Sequence, residues 1–190
     1  MIKIITEAVM EKLAKHPKRL RHVFGVYQMS KYLAEIHHLD IEKAAISALF
    51  HDYTRMDSLE DQKPYLSKRI IDQYKEKPIA YHAYSAARRL EKEFKITDFD
   101  IVSPIEQHVF GKSNMSSYEK LLFISDFCEI NRPLKFREET VLLAIKDLDE
   151  ALVYVYEKTL FFLEEKGITP TKQQIEAYQY YKESVNGKTK

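Results

Sequence analysis

Six ionisable side chains in this chain have the types and settings to do chemistry. His51 and Asp52 are adjacent, at the end of the apolar run Ala48-Leu49-Phe50. An imidazole and a carboxylate at neighbouring positions point in different directions from one backbone segment. Together they can grip a cation, and a carboxylate, having two oxygens, can bridge two. His22, His82 and His108 each lie beside an apolar face or at a helix end, and Asp126 stands in an apolar stripe with Leu122 and Ile130. A buried carboxylate without a positive partner is costly, so Asp52 and Asp126 call for positive charge. A metal cluster supplies it, and imidazole with carboxylate suits iron, manganese or zinc. The other histidines, His16, His37 and His38, sit among polar residues at helix ends and read as solvated. Cys128 reads as a small core residue rather than a ligand.

Helices must position these groups. Hydrophobic spacing is helical nearly everywhere, and sustained strand alternation is absent. Ile2, Ile5, Val9 and Leu13 mark a first helix, which His16-Pro17 ends. Val23, Val26, Tyr27, Ser30, Leu33, Ala34 and His37 form one face of a second, with His22 one step off that stripe. Asp40 caps a third, Ile41 to about Tyr53, rich in alanine and able to pack closely. A polar loop follows over Thr54 to Lys63. Leu66, Ile70, Ile71 and Tyr74 suggest a helix stopping before Pro78. The next runs from about Ile79 to Phe94, with His82, Ala86, Leu90 and Phe94 on one face.

The helix ending near His108 begins either at Asp98, with Pro104 inside it, or at a capping box over Ser103 to Glu106. Ser116 and Glu119 form a further capping box, opening a helix through Asp126 and Ile130 that Pro133 stops. One long helix is expected from about Glu138 to Glu165, with Val141, Ala144, Leu148, Leu152, Val155 and Phe162 on one side. Gly167 terminates it. Thr171 and Gln174 cap the last helix, and Lys188 to Lys190 form a frayed tail.

Composition agrees with this plan. The chain has 190 residues, 45% hydrophobic and 31% charged, with four glycines and six prolines. That suits one all-α domain, residues 1–190, with a real core. A net charge of +1 advertises neither nucleic acid nor membrane as a partner. No apolar run reaches the roughly 20 residues of a membrane span. Met1 to Leu13 is amphipathic, with Glu7 and Glu11 inside it, unlike a signal peptide. One cysteine fits a reducing compartment, so a cytoplasmic protein is expected.

The order His22, His51-Asp52, His82, His108, Asp126 resembles the H…HD…H…H…D pattern of HD-domain metal-dependent phosphohydrolases, an all-α helical bundle with a dinuclear metal site. Arg19-Leu20-Arg21-His22 followed by Gly25-Val26 is similar to the R-x-x-H-x-x-G-V opening of one bacterial subfamily, the YqeK type. Ala45 to Tyr53 resembles its HD segment. His108 to Ser116 with Glu119-Lys120 resembles its H-T-x-G-x-x-x-M-S…E-K block, and Ser125 to Arg132 its A-D-x-x-E-P-x-R block. The chain departs at Val109 for threonine, Arg55 for lysine, Ile130 for proline, and Ala83 to Ala87 where glycines are usual. None of these removes a metal ligand.

The YqeK type comprises symmetrical bis(5'-nucleosyl)-tetraphosphatases, which cut diadenosine tetraphosphate into two ADP. The resemblance implies two transition-metal ions, with iron favoured and manganese or zinc compatible. His22, His51, Asp52 and Asp126 would hold one, and Asp52 would bridge to a second held by His82 and His108. It implies Arg19, Arg55 and Asp52 as catalytic residues and Lys112 and Arg132 as substrate-binding cations. The partner would be a small-molecule nucleotide, with a homodimer compatible. The rival readings are another HD nucleotidase and a nucleotide-binding regulatory module with little turnover.

Overall fold

The structure, a computed structural model, describes residues 1–131 and 136–188. Among these residues eleven α-helices follow one another: α1 (Ile2–Lys12), α2 (Pro17–Ile36), α3 (Ile41–Phe50), α4 (Leu59–Gln62), α5 (Lys68–Gln73), α6 (Tyr81–Phe94), α7 (Phe99–Gln107), α8 (Ser117–Cys128), α9 (Arg137–Lys146), α10 (Leu148–Glu165) and α11 (Lys172–Lys188). Short 3-10 turns occupy Lys63–Tyr65 and Pro78–Ala80. No strand occurs among the described residues.

The bundle is arranged around α3. Asp40 caps it by accepting from the amides of Glu42 and Lys43. Every residue from Ala44 to Phe50 is buried. Three alanines let α1, α2, α6, α7 and α8 all pack against this one helix. On one side, Ile5, Val9, Leu13, Val23, Leu49, Phe50, Leu90 and Ile105 form a core. On the other, Leu33, Leu121, Ile124, Leu152, Val155, Tyr156 and Tyr181 form a second. Val26, Ala48 and Leu122 join α2, α3 and α8 between them. Full burial of a Leu or Phe side chain is worth about 1.5–3 kcal/mol, so these clusters hold the helix ends that bear the candidate ligands.

Several expectations are corrected. The long helix after Glu138 is two helices, because Asp147 takes an extended backbone and accepts from the amides of Asp149 and Glu150. A capping carboxylate followed by two acids is a helix start, and it overrides the continuous apolar stripe. Phe162, placed on that stripe, is 54% exposed. Asp98, not Ser103, caps α7. Pro104 therefore lies inside the helix and removes the bond that residue 104 would donate to the carbonyl of Asp100. The Ser103 hydroxyl instead donates to Glu119, across to α8.

Helix α8 ends at Cys128, and Ile130 projects outward rather than sharing a face with Asp126. The Thr54–Lys63 loop contains α4, started by Ser58, which accepts from the Asp61 amide. His37 is half-buried, and its Nε2 donates to the Ala144 carbonyl at 2.6 Å, tying the end of α2 to α9. Pro133, Thr189 and Lys190 lie outside the described residues.

Candidate metal centre

Three imidazoles are held through Nδ1 by a backbone carbonyl three residues back, and a fourth by a carboxylate. His51 stands at the end of α3 and donates from Nδ1 to the Ala48 carbonyl at 2.7 Å. His108 stands at the end of α7 and donates from Nδ1 to the Ile105 carbonyl at 2.7 Å. Those carbonyls belong to last turns, where no further helical amide reaches them. His82, near the start of α6, donates from Nδ1 to the Ile79 carbonyl at 2.5 Å. His22, on α2, turns Nδ1 to Glu129 Oε1 at 3.1 Å. A ring whose Nδ1 carries the hydrogen offers an Nε2 lone pair, so the partner on one nitrogen sets the chemistry of the other.

The four Nε2 atoms converge in two pairs. His22 Nε2 and His51 Nε2 are 3.4 Å apart, and His82 Nε2 and His108 Nε2 are 3.0 Å apart. Asp52 lies between the pairs. Its Oδ2 is 3.4 Å from His51 Nε2 and 3.6 Å from His22 Nε2. Its Oδ1 is 3.1 Å from His82 Nε2 and 3.9 Å from His108 Nε2. Asp126 Oδ1 joins the first pair, 3.0 Å from His22 Nε2. All four histidines and Asp52 are buried.

These donors suit metal. Two lone pairs facing each other at 3.0 Å repel unless a cation stands between them. Around an ion held at about 2.0–2.1 Å, octahedral or tetrahedral geometry sets neighbouring donors about 3.0–3.4 Å apart. Most of the distances above fall on that edge length. His22, His51 and Asp52 could hold one ion, and Asp52, His82 and His108 another.

The electrostatics are those of a cluster that draws positive charge to Asp52. Burial works against the ionised form of Asp52, but the charges and bonds of His51 and His82 hold its carboxyl well below the ordinary range. Burial pulls His51 down, but Asp52 and Asp126 raise it on balance. Burial, with His51 and His82 beside it, lowers His108 to about 3, against the pull of Asp52. His108 is therefore a neutral donor across the physiological range. The Cys128 thiol, raised by burial to about 12, offers no thiolate.

Thus His22, His51, Asp52, His82, His108 and Asp126, singled out in the sequence, come together. Arg19 joins them, with Nη1 2.5 Å from Asp52 Oδ2. Arg55 does not: its amide donates to the Asp52 carbonyl, and its half-buried side chain makes no ion pair among the described residues. Lys112 Nζ lies 2.7 Å from Glu119 Oε1, a carboxylate in the capping box of α8. Arg132 is outside the described residues. Thr54 adds a tie, donating to the His82 carbonyl at 2.8 Å and so fixing the turn after Asp52 against α6.

The profile of the HD domain family matches residues 19–149. The chain belongs to the HD domain family. A symmetrical bis(5'-nucleosyl)-tetraphosphatase of Bacillus subtilis (strain 168) is 31% identical over 161 residues, 84% of this chain and 86% of that protein. Another, from Staphylococcus aureus (strain NCTC 8325 / PS 47), is 30% identical over 180 residues, 90% of this chain and 89% of that protein. A crystal structure from Clostridium acetobutylicum, of a predicted HD superfamily hydrolase involved in NAD metabolism, superposes with a TM-score of 0.85 at 29% identity. It covers 97% of this chain and 98% of that one. HD-domain hydrolases bind divalent metals, and the His/Asp clusters here fit such a site.

Glu129 and Gly25, which stand in the subfamily-like blocks without a role assigned above, take one in the fold. Glu129 is 1% exposed; Oε1 faces His22, and Oε2 accepts from the amide and the side chain of Asn131. A Cβ on Gly25 would collide with Glu129 Oε2. Gly25→Ala is therefore expected to displace the carboxylate that orients His22. Loss of such an outer partner costs about 10–100-fold in metal affinity or activity. Metal titration of the variant checks this. Wild-type affinity, with the helical circular-dichroism signal retained, would show that Glu129 does not set the His22 ring.

Proposed function

We propose that this HD-domain chain is a metal-dependent phosphohydrolase that cleaves diadenosine tetraphosphate symmetrically, giving two ADP. The observation that carries the reading is Asp52, whose two oxygens face separate pairs of histidines, each with Nδ1 engaged elsewhere. That arrangement supports a two-ion site. The similarity to relatives named symmetrical bis(5'-nucleosyl)-tetraphosphatases supports the substrate.

In this reading His22, His51, Asp52 and Asp126 hold one ion, and Asp52, His82 and His108 the other. Imidazole and carboxylate suit iron, which the subfamily resemblance favours, and also manganese or zinc. Bound metal supplies Lewis acidity and a water of lowered pKa. The chain's own groups do the rest. Glu129 and the three backbone carbonyls keep each Nε2 free of hydrogen and aimed inward. Arg19 brings a fixed positive charge to the edge of the cluster, where phosphoryl oxygens gain charge as the bridge breaks. Arg55 is proposed to reach the same phosphates from the turn after Asp52, and Lys112 and Arg132 to bind the outer parts of the substrate. No helix of the described residues is long and apolar enough to cross a membrane. A cytoplasmic site of action accords with a small anionic substrate.

Incubation of the metal-loaded protein with diadenosine tetraphosphate in heavy-oxygen water tests the reading. The expected result is ADP as sole product, with one label per pair of ADP formed. AMP and ATP in equal amounts would reject symmetrical cleavage. Tight nucleotide binding with both metals present and no turnover would favour the regulatory module.

A further inference from the structure

The α1–α2 turn and the turn after Asp52 enclose a cleft of about 430 Å³, lined by Lys15, His16, Pro17, Lys18, Arg19 and Met56. Its volume lies in the range of small-ligand sites, about 300–1,000 Å³. Arg19 belongs to both this cleft and the metal centre, since its Nη1 lies 2.5 Å from Asp52 Oδ2. One side chain therefore separates the cleft from the carboxylate at the middle of the cluster.

The cleft is positively charged, and of its cations only Arg19 is paired, with Asp52. No carboxylate lines it. Lys15 and Lys18 are exposed, and neither forms an ion pair among the described residues. The nearby acid Asp57 is already engaged, 2.6 Å from Lys12 and 3.5 Å from Arg89. Those two pairs, with the bond from Thr54 to the His82 carbonyl, hold the turn that carries Met56. Met56 is 45% exposed, so its thioether offers a polarizable apolar surface to a flat ring.

We infer that this cleft is the subsite for the second nucleotide half of a dinucleoside polyphosphate. This rests on the proposed function, because only a substrate with a nucleoside at each end needs it. When the central bridge lies at the metal centre, one nucleoside diphosphate half extends to each side. The half extending past Arg19 meets Lys15 and Lys18, whose charges match its phosphates, and then Met56, which packs against its base. The same charges hold that half until it leaves as a nucleoside diphosphate.

Equilibrium dialysis of ADP against the manganese-loaded full chain tests this without relying on turnover. The expected result is two ADP bound per chain. The Lys15→Glu/Lys18→Glu variant is expected to bind one in the same concentration range, the other being weakened by on the order of tenfold or more, with metal content unchanged. Met56→Ala is expected to weaken that same ADP and leave inorganic pyrophosphate binding as in wild type, because it removes only a base contact and adds no charge. A single ADP on the wild-type chain, or two undiminished on the lysine variant, would overturn the subsite. If the wild type binds two ADP with this dependence yet does not cleave diadenosine tetraphosphate, the proposed reaction fails and the subsite stands.

Discussion

In the proposed two-ion site, Asp52→Ala is expected to remove both metal ions and to lower hydrolysis by at least about three orders of magnitude. The carboxylate is shared. Oδ2 completes the donor set with His22 and His51, and Oδ1 completes the set with His82 and His108. Its negative charge also offsets the two cations that the four neutral imidazoles cannot. A metal acting as Lewis acid contributes several kcal/mol, and each 1.36 kcal/mol is a factor of ten, so loss of about 4 kcal/mol is a thousandfold. His108→Ala gives the contrast. His108 touches only the Oδ1 side, so that variant is expected to lose one ion and keep the other. Elemental analysis of both purified variants, with circular dichroism to confirm folding, decides it. Two ions in Asp52→Ala, or equal loss in both variants, would mean that the ligands are divided differently.

The ligands were legible in the sequence because each is placed by a local rule. His51 and His108 each stand one position past the last residue of a helix, where a last-turn carbonyl three residues back awaits a donor. His82 falls on the buried face of α6 by simple periodicity. Asp40, Ser116 and Thr171 were readable as caps for the same reason: the partner amide is two or three residues away.

What was not legible depends on distant residues. Glu129 faces His22 across 107 positions; the A-D-x-x-E-P-x-R resemblance includes it, but nothing local says that its partner is His22. His37 reads as a solvated end residue until α9 brings the Ala144 carbonyl to it. Ser103-Pro104 has the local form of a helix start. The hydroxyl found a stronger acceptor in buried Glu119, and Asp98 took the cap. Lys112 reads as a substrate cation or a solvated surface charge, and its pairing with Glu119 at 2.7 Å appears only in the fold. The break at Asp147 was local and readable, but the apolar stripe running through it gave the opposite signal.

Arg19→Ala is expected to lower kcat by about 10²–10³ while leaving both ions bound, the range for removing one preorganised group that stabilises developing charge. Arg19 is bonded to the outer edge of Asp52 Oδ2 and is partly open to solvent, with 29% of its side chain exposed. It offers donors and no lone pair, so it cannot ligate metal. In the proposed function its charge meets the phosphate oxygens as they approach the cluster. A group that acts on the transition state lowers kcat and kcat/KM together, whereas one that only binds substrate raises KM. Arg19→Lys is expected to recover part of the rate, since lysine restores the charge but not the planar fork. Metal content, kcat and KM measured on both variants separate the roles. If Arg19→Ala loses metal in step with activity, the arginine serves to hold Asp52 in place. If it keeps the wild-type rate, its bond to Asp52 is a structural ion pair and phosphoryl charge is met by other cations.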